Sequence, residues 1–296
     1  YIWESEHDID RALASARRVI TALTPVDNPF LQVMGHARLS ELCLQTERGE
    51  EAYGHLKSAL EVLPRLGDEQ DSIGVRWGLV LACLQRGDPD EAEYWLRQAE
   101  GGNTPRKDDF YSPDFGGRAE IALARGLTEV GLGLWRRNME RIPEADSTNS
   151  DDPFFDRWVL QIQSAAVTAH AHAGRLGLVA EVVDRLRQRL RTLLSGPSAS
   201  PMELPVFGTG LHALGMAGLV SGDARAVRMI ALAERLRVLR DFQPTMSADR
   251  ARQAVGAAGN AARAAYADAV SEYAALGRDE LREAARAVMS VTSGRG

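Results

Sequence analysis

Cysteine is nearly absent from this chain of 296 residues, with Cys43 and Cys83 the only two. Two half-cystines are too few for a disulfide-stapled extracellular framework, and no Cys-x-x-Cys pair offers redox or zinc chemistry. Both fall at the same place in neighbouring repeat units, on the inner side of a helix, where small core residues are expected. Lysine is as scarce: Lys57 and Lys107 are the only two among 35 basic residues. The arginines that dominate instead are spread along the chain and form no stripe. With a net charge of −6, a direct nucleic-acid contact is not expected. No apolar run approaches the ~20 residues of a membrane-spanning helix. No membrane contact and a cytoplasmic location are therefore the expectations. The chain opens Tyr1-Ile2-Trp3-Glu4 without an initiator Met or a charged-apolar-small leader, and is expected to be a piece of a longer protein.

Motifs that carry chemistry are missing as well. There is no His-Glu-x-x-His, no Asp-x-Asp-x-Asp-Gly calcium loop and no phosphate-cradling loop ending in Gly-Lys-Ser or Gly-Lys-Thr. His170 and His172 are two residues apart, and on a helix they point about 200° from each other, so they do not share one metal ion. Asp and Glu concentrate at helix starts, where capping explains them. No nucleophile with a base partner can be named. The expectation is a protein that is not an enzyme and takes neither metal nor cofactor.

What recurs is a punctuation: an apolar Ala- and Leu-rich segment, a glycine, a short polar turn, and a second apolar segment. In the clearest copy, GLVLACLQRGDPDEAEYWLRQA, Gly87 ends one helix, Asp88 caps the next, Pro89 takes its first position and Glu91 completes a capping box. Equivalent breaks fall near Gly49 and at Gly126, Gly174, Gly222 and Gly277, with a spacing that grows along the chain. A drifting period of helix pairs predicts an all-α solenoid.

The first helix is predicted over Ile9 to Leu23, ended by Thr24-Pro25 and the turn Asp27-Asn28-Pro29. Later units are predicted near Arg118 to Met139, Phe155 to Leu194, Val206 to Leu239 and Asn260 to Val291. Loops are expected at 101–117, where Phe110, Tyr111 and Phe115 could pin the segment, at 143–153, and at 195–205 with its three prolines. The acidic stretch 144–153 is the expected linker between an N-terminal half-array, 1–143, and a C-terminal one, 154–296. Trp95, Trp135 and Trp158 are read as packing residues. The run Arg185, Arg187, Arg189 and Arg191 distributes charge over two helix faces and reads as a solvated helix rather than an anion site.

Ala52, Leu56, Ala59 and Pro64, and again Leu79, Gly87, Ala92, Leu96 and Ala99, occupy the small, large and terminating slots of a helix pair. On those residues the chain resembles the tetratricopeptide repeat family, which implies a right-handed superhelix whose first helices line a groove. The family's frame then assigns the groove to Glu41 and Gln45, Trp77 and Gln85, Glu120, then Gln161, Ser164, Thr168 and His172, and finally Thr209 and His212. An aromatic wall with neutral hydrogen-bonding groups suits a peptide segment or a small polar ligand. Arg38 and Arg76 alone do not make a carboxylate clamp.

The segment ELPVFGTGLHALGMAGLVSGDARAVRMIALAERLRVLRDFQPTM, with ARAAYADAV and DELREAARAVM, resembles the C-terminal region of large Streptomyces antibiotic regulatory proteins, transcriptional activators of actinomycete secondary metabolism. This resemblance covers Asp152 to Met289 and implies a non-enzymatic sensor or regulatory domain. Its partners would be upstream domains of its own chain, another protein, or a small-molecule effector. A stand-alone adaptor binding a partner's peptide is the alternative.

Overall fold

The computed structural model describes residues 9–23, 27–67, 71–100, 114–142, 153–196 and 203–290. Among them the fold is all-α, with helices, two short 3-10 turns and no strand. Two compact units form: Tyr1–Leu134 with Arg240–Pro244, and Trp135–Leu239 with Thr245–Gly296. The division falls at Leu134, inside a helix. Residues 144–152 of the expected linker lie outside the described residues, as do 1–8, 101–113 with Phe110 and Tyr111, and 197–202.

The first unit holds α1 (Ile9–Leu23), α2 (Pro29–Gln45), α3 (Gly49–Val62), α4 (Asp71–Gln85), α5 (Pro89–Glu100), α6 (Asp114–Ala124) and the start of α7 (Thr128–Arg141). Each packs on its neighbour in sequence, α2 on α3, α3 on α4 and α4 on α5, with α2 also touching α4 and α4 touching α6. The local causes are legible. Asn28 caps α2 by accepting from Leu31 N at 3.1 Å, with Pro29 at the first position. Between α4 and α5, Gly87 takes a left-handed φ of 76° that lets Asp88 N reach back to Cys83 O at 2.9 Å. Asp88 then accepts from Glu91 N at 3.0 Å. The capping box is half used, because the Glu91 carboxylate goes instead to Tyr53 Oη at 2.5 Å and Arg86 at 3.3 Å.

Small residues set the spacing between these helices. Ala52, Ala59 and Ala92 are fully buried beside Leu56 and Leu96, as their slots predict. Cys43 and Cys83 are buried and free, and burial pushes their thiols up to about 11 and about 12, so both are unreactive core residues. A surface ion pair repeats with the repeat: Arg86 meets Glu50 at 2.6 Å, and Arg125 meets Asp90 at 2.6 Å. Each arginine directly follows the last residue of a first helix, α4 or α6, and each acid lies in the first turn of the second helix of the hairpin before it. Exposed pairs of this kind contribute at most about 1 kcal/mol each, so they report regular stacking more than they enforce it.

The second unit holds the rest of α7, then α8 (Pro153–His172), α9 (Ala180–Ser195), α10 (Glu203–Ser221), α11 (Ala226–Leu236), α12 (Ala248–Ala257), α13 (Asn260–Ala274) and α14 (Arg278–Ser290). Its organisation differs. Helix α10 touches α8, α9, α11, α12 and α14, so it is enclosed rather than stacked in series. It is long and apolar enough to cross a membrane, contrary to the expectation that no segment is, but 78% of its most apolar 18-residue stretch is buried, the place of a core helix. Glycines let it approach its neighbour: a Cβ at Gly208 would meet Arg237 O at 2.9 Å, and one at Gly215 would meet Ala226 O at 3.0 Å. The helix predicted to run to Leu239 stops at Leu236, where Arg237 takes a φ of 68°. Residues 237–247 are irregular, and α12 after them was not anticipated.

Candidate functional site

The irregular segment Arg240–Pro244 belongs to the first unit, and its side chains and backbone meet the face of α4 from which the repeat frame projects Trp77 and Gln85. The rings of Trp77 and Phe242 lie 6.5 Å apart at 57°, within the range of attractive tilted aromatic pairs. On its other side Trp77 sits against Gly117 of α6, where a Cβ would come within 2.8 Å of the indole. Glycine at that position is what lets the indole approach the neighbouring helix so closely.

At the last residue of α4, Gln85 Nε2 donates to Leu44 O at 2.9 Å and to Arg240 O at 3.4 Å. It thereby ties the last carbonyls of α2 to the backbone of the segment. Gln243 Nε2 donates to Glu47 Oε1 at 3.2 Å and reaches Arg240 O at 3.5 Å, closing the segment on itself. Arg240 Nε lies 4.0 Å from the other Glu47 oxygen. Phe242 and Gln243 are buried.

Glu47 is the position that sequence reasoning missed. The segments LCLQTERGEEA and ACLQRGDPDEA align so that Cys43 matches Cys83, Gln45 matches Gln85, and Glu47 stands where the next copy has Gly87. Glu47 accordingly takes the left-handed conformation, φ 57°, which a residue with a Cβ adopts at a cost of roughly 1 kcal/mol. The turn itself is the same in both copies, with Arg48 N donating to Cys43 O at 2.9 Å. The carboxylate replaces the expected glycine at the one hairpin turn that faces Arg240 and Gln243. That substitution within an otherwise repeated motif was the available signal.

The remaining predicted groove residues, which fall in both units, differ in burial. Glu41 is exposed and pairs with Arg38 on its own helix at 2.5 Å. Gln45 is half-buried at the end of α2 and Gln161 half-buried on α8. Glu120 is fully buried in α6. In the second unit Ser164, Thr168, Thr209 and His212 are fully buried, so these four line no open surface, contrary to the repeat frame. Ser164 donates back to Leu160 O at 2.7 Å; Thr209 Oγ1 donates to Pro205 O at 2.8 Å and accepts from Leu239 N at 2.9 Å. The physical reason is that α8 and α10 carry apolar residues on every side and pack as core. His172, half-buried, donates through Nε2 to Thr245 O at 3.2 Å. Burial, and then the charge of Arg250, pull its pKa down to about 4.

Of the tryptophans, Trp95 and Trp135 are buried and Trp158 is half-buried. Among the described residues no group of three or more His, Cys, Asp or Glu side chains is disposed to hold a metal ion. No protein-family model matches this sequence, and no curated protein matches it.

Proposed function

We propose that the first unit is a tetratricopeptide-like peptide-recognition module, and that its recognition face is regulated by the chain's own segment Arg240–Pro244. One observation supports this reading: an irregular stretch from far along the sequence supplies an aromatic ring to Trp77, a backbone carbonyl to Gln85 and two side chains to Glu47. Those are the contacts by which a groove with neutral hydrogen-bonding groups holds a peptide, the main chain giving affinity and one buried aromatic giving specificity. In this reading the protein is non-enzymatic and acts as the regulatory region of a larger transcriptional activator, in keeping with its resemblance to the Streptomyces antibiotic regulatory proteins. A partner segment, from another protein or from upstream domains of the same protein, competes with Arg240–Pro244. The partner shifts the population toward the open face by its differential affinity for that state.

A tethered segment acts at an effective concentration of order mM, so a free peptide of modest affinity is excluded until the tether's own contacts weaken. The test uses a labelled peptide of residues 238–246 and the whole chain. Phe242→Ala, or the milder Gln243→Ala, is expected to raise peptide affinity at least about tenfold over the parent chain. Adding Trp77→Ala is expected to abolish the gain. Equal peptide binding by parent and Phe242→Ala chains, or no binding by either, overturns the proposal.

A further inference from the structure

The second unit contains a cavity of about 330 Å³ bounded by α9, α10 and the start of α11, and closed at one side by Met289 of α14. Its floor is apolar: Leu214, Met229 and Met289 are all buried. Its rim is charged. Arg187 pairs with Asp184 at 2.5 Å, and Arg225 holds Asp223 through Nη2 at 2.7 Å and Nε at 3.0 Å. Arg225, with further help from Arg187, holds the Asp223 carboxyl below the usual carboxylate range, so that pair stays ionised and committed. The fifth rim charge, Arg191, donates one Nη2 bond to a backbone carbonyl, Met289 O, at 3.2 Å. Among the described lining residues three guanidiniums thus face two carboxylates, and the surplus positive charge belongs to the group whose bond is to a neutral acceptor.

The alternating arginine run does divide over two helix faces, as its spacing predicts. Arg187 and Arg191, four residues apart, share one of those faces, and that face turns out to rim an apolar hollow rather than open solvent. We propose that this cavity binds a small amphiphile with one carboxylate head and an unbranched apolar body, the head on Arg191 and the body over the two methionines. A singly charged head matches the single surplus charge. A phosphate would bring a second negative charge with no cation to meet it. The flexible thioether side chains adapt to chain-like rather than rigid ligands, and the volume is at the small end of the ~300–1,000 Å³ range of ligand sites.

This inference stands apart from the groove reading, because it uses none of the residues on which that reading rests. The probes are decanoate and decylamine, titrated calorimetrically into the whole chain below their micellar concentrations. Decanoate is expected to bind one saturable site, with decylamine at least about tenfold weaker, since the charged head is what the surplus guanidinium recognises. Arg191→Gln should weaken decanoate about tenfold and Arg191→Lys much less, while Arg185→Gln, on the other face of the same helix, and Trp77→Ala should change nothing. Absence of a saturable site, equal binding of the amine, or an equal loss in Arg185→Gln overturns it.

Discussion

The two units share a turn vocabulary and differ in how they use a helix. In the first, α5 buries Ala92, Trp95, Leu96 and Ala99 and leaves the opposite side to Asp90, Glu93 and Arg97. In the second, fourteen of the nineteen residues of α10 are buried, His212 and Thr209 among them. A helix with one apolar stripe stacks beside its neighbours; one that is apolar all round must be enclosed. The glycine-ended turns are alike in both units, with φ 76° at Gly87 and 74° at Gly222. Turn punctuation therefore identifies hairpins without saying whether they continue in series or fold around one of their number.

Packing tolerance gives the largest test of that contrast. At Gly215 of α10 a Cβ would stand 2.7 Å from Ile230 Cγ1 and 3.0 Å from a backbone oxygen, and the oxygen cannot rotate away. At Gly78 of α4 the close atoms, 2.8 Å and 3.1 Å off, are the two ends of one leucine side chain, Leu56. Gly215→Ala is expected to lose about 2 kcal/mol of stability in urea unfolding. Gly78→Ala should stay within about 0.5 kcal/mol of the parent, since the gain in helix propensity offsets the crowding. Equal losses at the two sites would break the distinction between an enclosed and a stacked helix.

Acid gives the next largest effect, and it also divides between the units. His172 in the second unit is held neutral in the folded protein down to a pKa of about 4, whereas the unfolded chain takes up its proton near the ordinary value of 6.5. The stability that depends on the neutral ring is complete above pH 6.5 and is lost as pH falls from 6.5 toward 4, amounting to about 2 kcal/mol at pH 5. His36 and His55 of the first unit, whose rings lie 5.3 Å apart, are shifted in the same direction, His36 by burial and then by the other ring's charge, His55 by burial first. Their half-buried setting makes a smaller contribution. His172→Gln should therefore flatten most of the slope between pH 6.5 and 5, and a slope unchanged by that substitution would reassign the acid sensitivity to the first unit.

Much of the first unit was legible because its determinants are local. The break at Asp27-Asn28-Pro29, the turn at Gly87 and the small slots at Ala52 and Ala92 act within a turn or two of themselves, and all appear where the residues predict them, with the Asn28 cap added by the structure. The second unit was misread because a repeat frame fixes which residues face a groove only if the helices stay in series. Once α14 packs on α9, α10 and α11, positions such as Ser164 and His212 turn from surface to core. Arg240–Pro244 was invisible for a different reason: nothing in RDFQP indicates where a segment that leaves one unit will land. Of the candidate site, Trp77 and Gln85 came from the frame, and Phe242, Gln243 and Glu47 did not.

The smallest expected effect discriminates most sharply, because it opposes backbone conformation to contact. Glu47 occupies a left-handed turn at φ 57°, where Gly87, the same position one repeat on, sits at φ 76°. If Glu47 serves only the turn, Glu47→Gly relieves strain of about 1 kcal/mol and leaves everything else as it was. If it clasps Gln243 and Arg240, the relief is offset by loss of a 3.2 Å hydrogen bond and a 4.0 Å ion pair. The net change in unfolding free energy is then expected to be under about 1 kcal/mol in either direction. Amide exchange at 240–247 nonetheless quickens several-fold while that of α2 and α3 stays as in the parent. Glu47→Asn, which tolerates the same φ with a shorter reach, should quicken the segment to the same extent. Unchanged exchange at 240–247 in both variants would return Glu47 to the status of an ordinary turn residue and leave the segment's other contacts, Trp77 and Gln85 among them, to hold it.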